Sequence, residues 1–450
     1  MITANRFETI VVGMGTTGFS CARYLSSQQV NFAVADSRVT PPRLEEFRQH
    51  FPDVTVFTGE FDTDILSGCR QILLSPGVSI NEPALQQAIQ SGVEVIGDVE
   101  LFCRRANAPV LAITGSNGKS TVTTLVGEIL KAAGKHVAIG ANLGTPALDL
   151  LNEKSVDCYV LELSSFQLET CYSINAKAAV VLNISDDHMD RYPDTNTYAQ
   201  AKAMIYQGDG TMIINVDDPL VRAMQEPGRK TRTFSLIENA DTDYSIRLIE
   251  GEKWLCRPYH RLIRCTDILM KGDHNIANAM AAIALVEDTG VTDDIIVSVL
   301  RSFSGLQHRC QFVAEINGVK WINDSKGTNV GATLAAISGL ANDRNIVLIA
   351  GGDGKGADFS PLQSVAEKYL ARVVLIGRDA NIIREALRGH VNLVDALDMS
   401  AAVNVAAKVA RFGDIVLLSP ACASLDMFRD YRERGEIFMQ AVRQLESDHG

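Results

Sequence analysis

A glycine-rich loop between a predicted strand and a predicted helix carries the residue types that bind phosphate. The apolar, β-branched run Val110–Ile113 predicts a buried parallel strand. The loop Thr114–Lys119 follows it, and the amphipathic segment Ser120–Ala133 predicts a helix that stops at Gly134. Backbone N–H groups of such a loop, together with the dipole of the helix, attract an anion. The sequence therefore predicts a phosphate-binding loop at this point.

Side chains in the same loop predict nucleotide chemistry rather than simple anion binding. Lys119 would place a positive charge on the terminal phosphates, and the hydroxyl of Ser120 or Thr121 could reach Mg²⁺. Only two residues separate Gly115 from Gly118, which is fewer than in the general P-loop. The alternative is a glycine turn with an exposed lysine. The agreement of strand, loop and helix favours the phosphate loop.

Further polar side chains stand where other strands of the same region are predicted to end. They are Asn142, Glu162 and His188, beside the predicted strands His136–Gly140, Asp157–Ser164 and Lys177–Ser185. Parallel strands end at one crevice, so these residues are expected to converge on one ligand. A carboxylate that ends an apolar strand is costly without a cation, and Mg²⁺ suits it. The alternatives are an ion pair of Glu162 with Lys119, and an exposed loop histidine at position 188.

A second glycine loop near the N-terminus predicts another diphosphate site. Strand, loop, helix, strand and acidic end follow in the order Thr9–Val12, Gly13-Met-Gly15-Thr-Thr-Gly18, Ser20–Leu25, Phe32–Ala35 and Asp36. This is the dinucleotide fingerprint and by itself predicts an NAD enzyme. The glycines admit any pyrophosphate, however, so a UDP-sugar fits equally well, and a half-domain without ligand is a further alternative. The strand Gln71–Ser75 ends in the turn Ser75-Pro76-Gly77, at the strand end where such sheets bind ligands.

Length, charge and cysteine usage narrow the class of protein. The chain has 450 residues, too many for one ordinary core, so several domains are expected. Its 42 basic and 54 acidic side chains give a net charge of −12, which argues against general binding to nucleic acid or anionic membranes. No apolar run predicts a membrane span, and the N-terminus has no signal pattern. The nine scattered cysteines favour reduced thiols in the cytoplasm. We predict a cytoplasmic monomer with small-molecule partners.

Alternating helices and strands predict an α/β protein of three domains, each with its own core. We predict a Rossmann-like domain at 1–98 and a P-loop ATPase-like domain with a parallel sheet at 99–305. A second Rossmann-like domain is predicted at 306–450. Residues 229–271 alternate in short runs, which predicts a small antiparallel extension of the central domain. Further predicted elements are the strand Gly210–Val216, the helices Tyr198–Tyr206, Asn275–Glu287 and Asp293–Phe303, the hairpin Gln311–Asn323, the strands Asn345–Ala350, Arg372–Gly377 and Asp414–Ser419, and the helix Asp426–Leu445.

The shortened phosphate loop carries a resemblance to a known family. Residues 114–120 match the pattern TG-x-NGK-[ST], and the chain resembles the Mur ligases, ATP-dependent amide-forming enzymes of peptidoglycan precursor synthesis. Other matching stretches begin at Asp36, Glu162, Asn183, Asp324, Gly351 and Leu418, so the resemblance covers essentially the whole chain. They are most similar to the branch that joins D-glutamate to UDP-N-acetylmuramoyl-L-alanine. The DNPR-type signature of the branch that adds a diamino acid is absent.

The resemblance implies a role for each matched residue around ATP and two Mg²⁺ ions. The implied ATP-binding residues are Gly115, Ser116, Asn117, Gly118, Lys119, Ser120, Thr121, Asn275, Arg309 and Asp324. The implied metal ligands are Ser120, Glu162, His188 and Lys202, and the implied catalytic residues are Lys119, Glu162, His188 and Lys202. In this family the lysine that Lys202 matches is carbamylated by CO₂. The local sequence alone would predict an ordinary surface lysine on a helix. Arg309 alone would be a surface arginine, and it reaches phosphates only if the domains close.

The resemblance also implies the binding sites of the two substrates. The implied UDP-sugar site consists of Gly15, Thr16, Thr17, Asp36, Arg38, Ser75, Pro76, Gly77, Asn142 and Ser164, with Asp36 and Arg38 at the uracil. The implied D-glutamate site consists of Lys355, Thr328, Ser424, Leu425 and Tyr431. Tyr431 stands where the family pattern has Phe, so contact there is in doubt.

The implied reaction is phosphorylation of the L-alanyl carboxylate by ATP, followed by attack of the D-glutamate amine on the acyl phosphate. Three other interpretations stay open at this point. The chain could be another ligase of the same fold, such as a different Mur ligase or a folylpolyglutamate synthase. It could be a non-catalytic regulator that binds nucleotides or UDP-sugars, or an NAD dehydrogenase.

Overall fold

Three β-sheets follow one another along the chain, with five, nine and six strands. The structure, a computed structural model, describes residues 7–257, 260–270, 272–341 and 343–449. Pro258, Tyr259 and Lys271, which belong to the predicted antiparallel extension, lie outside the described residues, as do residues 1–6 of the predicted first domain. Within the described part of the chain, no helix is both long and apolar enough to span a membrane.

The first sheet is entirely parallel, in the order β3-β2-β1-β4-β5. Its strands are β1 Thr9–Val12, β2 Phe32–Asp36, β3 Thr55–Thr58, β4 Gln71–Leu74 and β5 Glu94–Gly97; its helices are α1 Thr16–Ser27, α2 Leu44–His50, α3 Thr63–Ser67, α4 Pro83–Gln90 and α5 Asp98–Cys103. The predicted helix Ser20–Leu25 is longer than expected. It begins directly after the extended Gly15, because the glycine loop itself forms the start of the helix.

The second sheet is continuous over nine strands, in the order β14-β13-β12-β11-β10-β9-β6-β8-β7. Its strands are β6 Val110–Thr114, β7 Val137–Ala141, β8 Cys158–Glu162, β9 Ala178–Val181, β10 Thr211–Asn215, β11 Thr231–Glu238, β12 Tyr244–Ile249, β13 Glu252–Arg257 and β14 His260–Arg264. Its helices are α6 Lys119–Ala132, α7 Ser165–Leu168, α8 Thr195–Ala203, α9 Pro219–Arg222, α10 Asp273–Val286 and α11 Asp293–Ser302. Short 3₁₀ turns lie at Ala147–Asn152, Met204–Tyr206, Cys265–Asp267 and Glu287–Thr289.

The predicted extension at 229–271 is only partly antiparallel. Strand β11 is parallel to both β10 and β12, and the antiparallel pairs are β12 with β13 and β13 with β14. Residue alternation indicates which face of a strand is buried but not the direction of its neighbour. The prediction of direction was therefore wrong for β11.

The third sheet has the order β15-β16-β20-β17-β18-β19 and is parallel apart from the β15–β16 hairpin. Its strands are β15 Gln311–Ile316, β16 Val319–Asn323, β17 Ile346–Gly351, β18 Leu370–Ile376, β19 Leu393–Asp395 and β20 Ile415–Leu418. Its helices are α12 Val330–Leu340, α13 Gln363–Tyr369, α14 Ala380–Leu387, α15 Met399–Val409 and α16 Tyr431–His449, with a 3₁₀ turn at Ser360–Leu362. The predicted hairpin turn is confirmed, with Asn317 and Gly318 both at positive φ.

The last helix begins later than predicted. We expected it from Asp426, but it starts at Tyr431. The Asp430 carboxylate accepts hydrogen bonds from the backbone N–H groups of Arg432 and Glu433, as a helix N-cap does. The carbonyl of Ser424 meanwhile accepts from two later N–H groups, which forms a separate turn.

Each of the first two sheets has an apolar cluster of its own, and the two sheets also share a third cluster, which the sequence analysis did not predict. One continuous apolar cluster contains Val11 and Phe19 from the first sheet and its helix, together with Tyr159 and Leu163 from the second. The third sheet has two clusters of its own, one on each face. The first two parts of the chain therefore share a core, and the third part is packed separately.

Candidate active site

The phosphate loop joins β6 to α6, and its two glycines are required by its shape. Gly115 and Gly118 both have positive φ, at 144° and 85°. A Cβ at Gly118 would lie 2.5 Å from the side-chain oxygen of Asn278, and one at Gly115 would lie 3.0 Å from the Cβ of Leu182. Any other residue at either position would force this loop away from its neighbours.

The chain that leaves β9 holds the phosphate loop in place. The backbone N–H of Ser116 donates to the carbonyl of Asn183 at 2.9 Å, and that of Asn117 donates to the Asn183 side-chain oxygen at 2.8 Å. The ammonium of Lys119 donates to the carbonyls of Gly115 and Ser116, at 2.7 and 2.9 Å. Burial lowers the pKa of Lys119, although the carboxylate of Glu162 opposes this shift.

Glu162 lies at the end of β8 with one carboxylate oxygen unpartnered. The residue is 3 % exposed, and its Oε1 accepts a 2.6 Å hydrogen bond from the amide of Asn142. Its Oε2 is buried without any hydrogen-bond partner. An orphaned buried carboxylate oxygen is costly, and a hard cation such as Mg²⁺ would satisfy it.

Magnesium at this position would need oxygen ligands from the substrate as well. Within the described residues, no group of three or more His, Cys, Asp or Glu side chains is placed to hold a metal alone. The hydroxyl-bearing Ser120 is buried in the first turn of α6. The residues present fit a metal whose remaining ligands are phosphate oxygens, which is how Mg²⁺ is usually held in nucleotide sites.

His188 is partly buried and does not behave as an ordinary exposed loop histidine. Its backbone is left-handed, with φ 59°, and its ring packs edge-on against Phe166 with centroids 4.8 Å apart. Its Nε2 lies 3.8 Å from the carboxylate of Asp187. Burial lowers the pKa of His188 to about 4, which leaves the imidazole neutral near pH 7 and able to ligate a metal.

Lys202 is buried, which excludes the interpretation as a surface lysine. Only 1 % of the residue is exposed, and its Nζ lies 3.5 Å from the hydroxyl of Thr114 and 4.5 Å from the ring centre of Tyr198. Burial lowers the pKa of Lys202 well below its ordinary value, and the nearby ammonium of Lys119 lowers it further. A neutral amine at this position is nucleophilic.

Side chains of the third part of the chain contact this loop directly. Asn329 caps α12 and exchanges two hydrogen bonds of 3.2 Å with the side chain of Asn117. It also donates to the carboxylate of Asp187, at 3.2 Å. Lys355, in a strained backbone conformation with φ 53°, forms an ion pair with the same carboxylate. Burial raises the pKa of Asp187, but Lys355, His188 and the hydrogen bond from Asn329 together lower it by more, so the net shift is downward.

Asp187 and Asn329 are candidate site residues that the sequence analysis did not assign. Asp187 immediately precedes His188, and Asn329 ends the matched stretch that begins at Asp324. Their positions beside assigned residues were the available signal. Their importance follows only from a contact between distant parts of the chain.

A cavity of about 680 Å³ lies between the second and third parts of the chain. Six of the residues predicted to bind ATP line it: Asn117, Gly118, Thr121, Asn275, Arg309 and Asp324. Phe234, Leu269 and Leu340 supply apolar wall, and the volume suits a nucleotide. The other four predicted residues, Gly115, Ser116, Lys119 and Ser120, belong to the loop beside this cavity rather than to its lining.

Asp324 is buried at the third-part wall of this cavity. It accepts hydrogen bonds from the hydroxyl of Ser419 at 2.7 Å and from the backbone N–H of Cys310 at 3.1 Å. Burial raises the pKa of Asp324 to about 6. Arg309 of the third part lines the same cavity as Gly118 and Thr121 of the second part.

The N-terminal glycine loop has the geometry of a diphosphate site. A Cβ at Gly18 would lie 1.8 Å from the carbonyl of Gly13, so the helix can approach the strand only with glycine there. Gly15 caps α1, whose first turn contains the predicted residues Thr16 and Thr17. The hydroxyl of Ser75 donates to the Gly13 carbonyl at 3.2 Å, which brings the Ser75-Pro76-Gly77 turn against the glycine loop.

Asp36 and Arg38 form a compact pair at the end of β2. The Asp36 carboxylate accepts from the N–H of Met14 at 2.7 Å and from the Arg38 guanidinium at 2.8 and 2.7 Å. Burial raises the pKa of Asp36, but the hydrogen bonds from Arg38 and Met14 lower it by a larger amount, so the net shift is downward. This carboxylate is ionised at neutral pH.

Two other residues predicted to bind the UDP-sugar lie in the second part of the chain. The amide of Asn142 is engaged by Glu162, and the hydroxyl of Ser164 caps α7 through the backbone N–H of Gln167 at 3.2 Å. Asn142 therefore contacts a predicted metal ligand, and Ser164 lies at the start of the helix that follows β8.

The predicted D-glutamate residues are distributed over three loops of the third part. Ser424 is buried, Thr328 is partly buried, and Leu425 is 71 % exposed. The ring of Tyr431 lies 4.0 Å from the ammonium of Lys326, a residue that the sequence analysis missed. Burial lowers the pKa of Lys326 to about 8, helped by the charge of Arg309.

A fully buried arginine holds two of these loops together. The guanidinium of Arg434 donates to the carbonyl of Ser325 at 2.8 Å and to that of Cys422 at 3.1 Å. No local pattern singles out this residue, since it lies within a helix of mixed charge.

Three family models match consecutive stretches of this chain. "Mur ligase MurD-like, N-terminal domain" matches residues 7–97, "Mur ligase middle domain" matches 113–286, and "Mur ligase, glutamate ligase domain" matches 308–422. Curated relatives named UDP-N-acetylmuramoylalanine–D-glutamate ligase are similar over their full lengths. The protein from Pseudomonas syringae pv. tomato is 51 % identical over 447 residues, or 99 % of both chains. That from Nitrosococcus oceani is 49 % identical over 437 residues, or 97 % of this chain and 96 % of the relative.

Solved structures show the same fold at much lower identity. MurF ligase from Thermotoga maritima in complex with ADP has a TM-score of 0.63 at 16 % identity, over 99 % of this chain and 98 % of its own. A pseudomurein peptide ligase type C from Methanothermus fervidus has a TM-score of 0.62 at 18 % identity, over 97 % of this chain and all of its own. Similarity at these identities concerns the fold.

Proposed function

The chain belongs to the Mur ligase family, and from this premise we propose that it joins D-glutamate to UDP-N-acetylmuramoyl-L-alanine with cleavage of ATP to ADP and phosphate. This is a step of peptidoglycan precursor synthesis. The observation that carries the proposal is the meeting of three groups at Asp187: the phosphate loop through Asn117 and Asn329, the ammonium of Lys355, and the imidazole of His188.

We propose the division into domains at 1–98, 99–305 and 306–450, each of which contributes one ligand site. The first would bind the UDP-sugar at its glycine loop, Asp36 and Arg38. The second would bind ATP, with Arg309 and Asp324 of the third closing the site. The third would bind D-glutamate through Lys355, Thr328, Ser424, Leu425 and Tyr431.

The first chemical step would be attack of the L-alanyl carboxylate on the γ-phosphorus of ATP, which gives an acyl phosphate and releases ADP. Lys119 would exchange its loop carbonyls for phosphate oxygens and so offset the charge on the transferred group. Bound Mg²⁺, held by Ser120, Glu162, His188 and the modified Lys202, would supply the remaining positive charge at the phosphates. Positioning of the carboxylate next to the γ-phosphorus would account for most of the remaining rate acceleration.

We propose that Lys202 carries a carbamate. The burial that lowers its pKa favours the neutral amine, whose nitrogen can bond to the carbon of CO₂ with loss of one proton. The product carries a negative charge, so a cationic lysine becomes an anionic oxygen donor. The Nζ of Lys202 lies against the hydroxyl of Thr114 and the ring of Tyr198, so the added carboxylate would form next to these two groups.

In the second step the D-glutamate amine would attack the acyl phosphate, and phosphate would leave. The incoming group is an ammonium ion, and its proton would pass to solvent water before the nitrogen attacks. Asp187 is an ionised carboxylate beside Lys355, so it would bind the ammonium while Lys355 moves to a substrate carboxylate. The charges of the site thus match those of D-glutamate.

We also propose that the protein acts as a monomer in the cytoplasm. Its substrates are charged nucleotides and an amino acid, and its nine cysteines are free thiols in the structure. No partner protein is needed to complete the proposed site.

Release of ADP with a panel of amino acids tests the proposal. The purified protein receives ATP, Mg²⁺ and UDP-N-acetylmuramoyl-L-alanine, with D-glutamate, L-glutamate, L-alanine or a diamino acid. We expect turnover with D-glutamate alone. Turnover with a different amino acid would contradict the specific assignment, and nucleotide binding without turnover on any amino acid would indicate a regulator.

A further inference from the structure

Arg191 joins a loop of the first domain to the segment that contains His188. Its Nη1 donates to the carbonyl of Pro76 at 2.9 Å, and its Nη2 donates to the carboxylate of Glu169 at 2.8 Å. The guanidinium also lies over the ring of Phe166, 4.0 Å from its centre. The side chain is only 16 % exposed, so these contacts are largely shielded from water.

The Pro76 end of this bridge belongs to the proposed UDP-sugar site. Pro76 lies in the turn after β4, and the preceding Ser75 donates to the carbonyl of Gly13 in the glycine loop. A diphosphate held by that loop would therefore rest beside the carbonyl to which Arg191 donates. Arg191 contacts this turn through a backbone carbonyl, so the contact depends on the position of the turn and not on its side chains.

The other end of the bridge is built around His188. The backbone N–H groups of Arg191 and Tyr192 both donate to the carbonyl of His188, at 2.9 and 3.0 Å. The ring of Phe166, which Arg191 covers on one side, packs edge-on against the His188 ring at 4.8 Å. His188 also has a left-handed backbone, a conformation that persists only where its surroundings hold it.

We propose that Arg191 is a positioning residue that couples occupation of the Ser75–Gly77 turn to the placement of His188. The naming of the ligand rests on the proposed function, because a UDP-sugar is what that turn would hold. When the ligand fixes the turn, the Pro76 carbonyl holds the guanidinium, and the guanidinium holds the Phe166 ring and the turn that carries the imidazole. Arginine suits this role because its planar group donates in two directions and stacks on a ring at once.

Coupling of this kind is reciprocal and can be measured without catalysis. If sugar binding places His188 for a metal, then Mg²⁺ must tighten binding of the UDP-sugar by the same factor. The dissociation constant of UDP-N-acetylmuramoyl-L-alanine is measured by calorimetry with and without Mg²⁺, each time with the same saturating concentration of a non-hydrolysable ATP analogue, which supplies the phosphate oxygens of the metal site without allowing catalysis. We expect Mg²⁺ to tighten binding to the unsubstituted protein by about fivefold or more.

Arg191→Lys keeps the positive charge but loses the planar group, and Arg43→Lys is its matched control. Arg43 also pairs with a glutamate, Glu46, and lies over a ring, Phe19, at 4.2 Å, but within the first domain only. We expect the effect of Mg²⁺ on binding to fall to less than about twofold in Arg191→Lys and to persist in Arg43→Lys. Metal chelation by the free ligand is the same for all three proteins and cancels in the comparison.

Hydrogen exchange of residues 186–194 gives an independent reading. We expect the UDP-sugar to slow exchange in this segment in the unsubstituted protein and in Arg43→Lys, but not in Arg191→Lys. An Arg191→Lys protein with the unsubstituted Mg²⁺ effect, or an unsubstituted protein with none, would overturn the proposal. Failure of the unsubstituted protein to bind the UDP-sugar would instead overturn the proposed function.

Discussion

The middle domain meets its two neighbours through different kinds of contact. Toward the first domain it shares a continuous apolar cluster, and the backbone of Gly97 donates directly to the carbonyl of Thr170. Toward the third domain the contacts of its phosphate loop are polar, between Asn117 and Asn329 and between Asp187 and Lys355, beside a cavity of about 680 Å³. Apolar burial is non-directional, whereas polar side chains can exchange their hydrogen bonds for bonds to water once two surfaces separate.

This difference suggests a division of labour in the proposed reaction. The first and middle domains would form one unit that holds the UDP-sugar near the phosphate loop. The third domain would bring Arg309, Lys326 and Lys355 to that unit and could separate from it to admit ATP.

The largest effect is expected at the phosphate loop itself. Replacement of Lys119 by Ala removes the only loop side chain that would offset phosphate charge, so the rate of ADP release should fall by about a thousandfold or more. Lys131→Ala is the control, since Lys131 lies on the same helix, is half-exposed and pairs with Glu128. Near-normal ligation by Lys119→Ala would refute the nucleotide assignment.

The shared core predicts that the first two domains unfold together. Leu163 is fully buried in the shared cluster and Leu417 in a cluster of the third domain. Each Leu→Ala change should cost about 2–5 kcal/mol of unfolding free energy in its own unit. Calorimetry should show Leu163→Ala lowering one transition and Leu417→Ala the other. A single transition lowered by both would mean that all three domains form one cooperative unit.

Loss of the Lys355 charge should mainly affect the third-domain substrate. The KM for D-glutamate should rise by about a hundredfold in Lys355→Ala, because a buried carboxylate of the substrate would lose its cationic partner. The KM for the UDP-sugar should change far less. Lys368→Ala, at an exposed lysine of the same domain, serves as the control. Equal increases in both KM values would show that Lys355 supports the fold rather than the substrate.

The pH dependence of activity should depend on the charge of Lys326, which the third domain would bring to the site. Lys326, with a pKa lowered to about 8 by burial and by Arg309, is cationic below that pH and neutral above it. The value of kcat/KM should therefore fall several-fold as the pH rises through 8, and Lys326→Arg should move this fall to higher pH. An unchanged alkaline fall in Lys326→Arg would assign it to another group.

Local signals in the sequence predicted the elements that bind phosphate. Glycine spacing and strand periodicity located Gly115 and Gly118, the Gly13–Gly18 loop and the hairpin at Asn317. These features depend on backbone geometry within a few residues, which the sequence encodes directly. The helix start at Tyr431 was missed, although the capping Asp430 is a local signal that the sequence contains.

Features that depend on contacts between distant residues were not predicted. Asp187 and Lys355 are 168 residues apart in the chain, and nothing near either indicates the other. The burial of Lys202 likewise follows from packing against Thr114, 88 residues away. The shared core was missed because periodicity marks a buried face but not the element that covers it.

The central claim is that the amide forms through an acyl phosphate, and oxygen labelling tests it most directly. UDP-N-acetylmuramoyl-L-alanine labelled with ¹⁸O in its carboxylate is converted with ATP and D-glutamate, and the released phosphate is analysed by mass spectrometry. The account predicts that each phosphate carries one oxygen from the substrate carboxylate. Unlabelled phosphate, released in step with the ligated product, would contradict it.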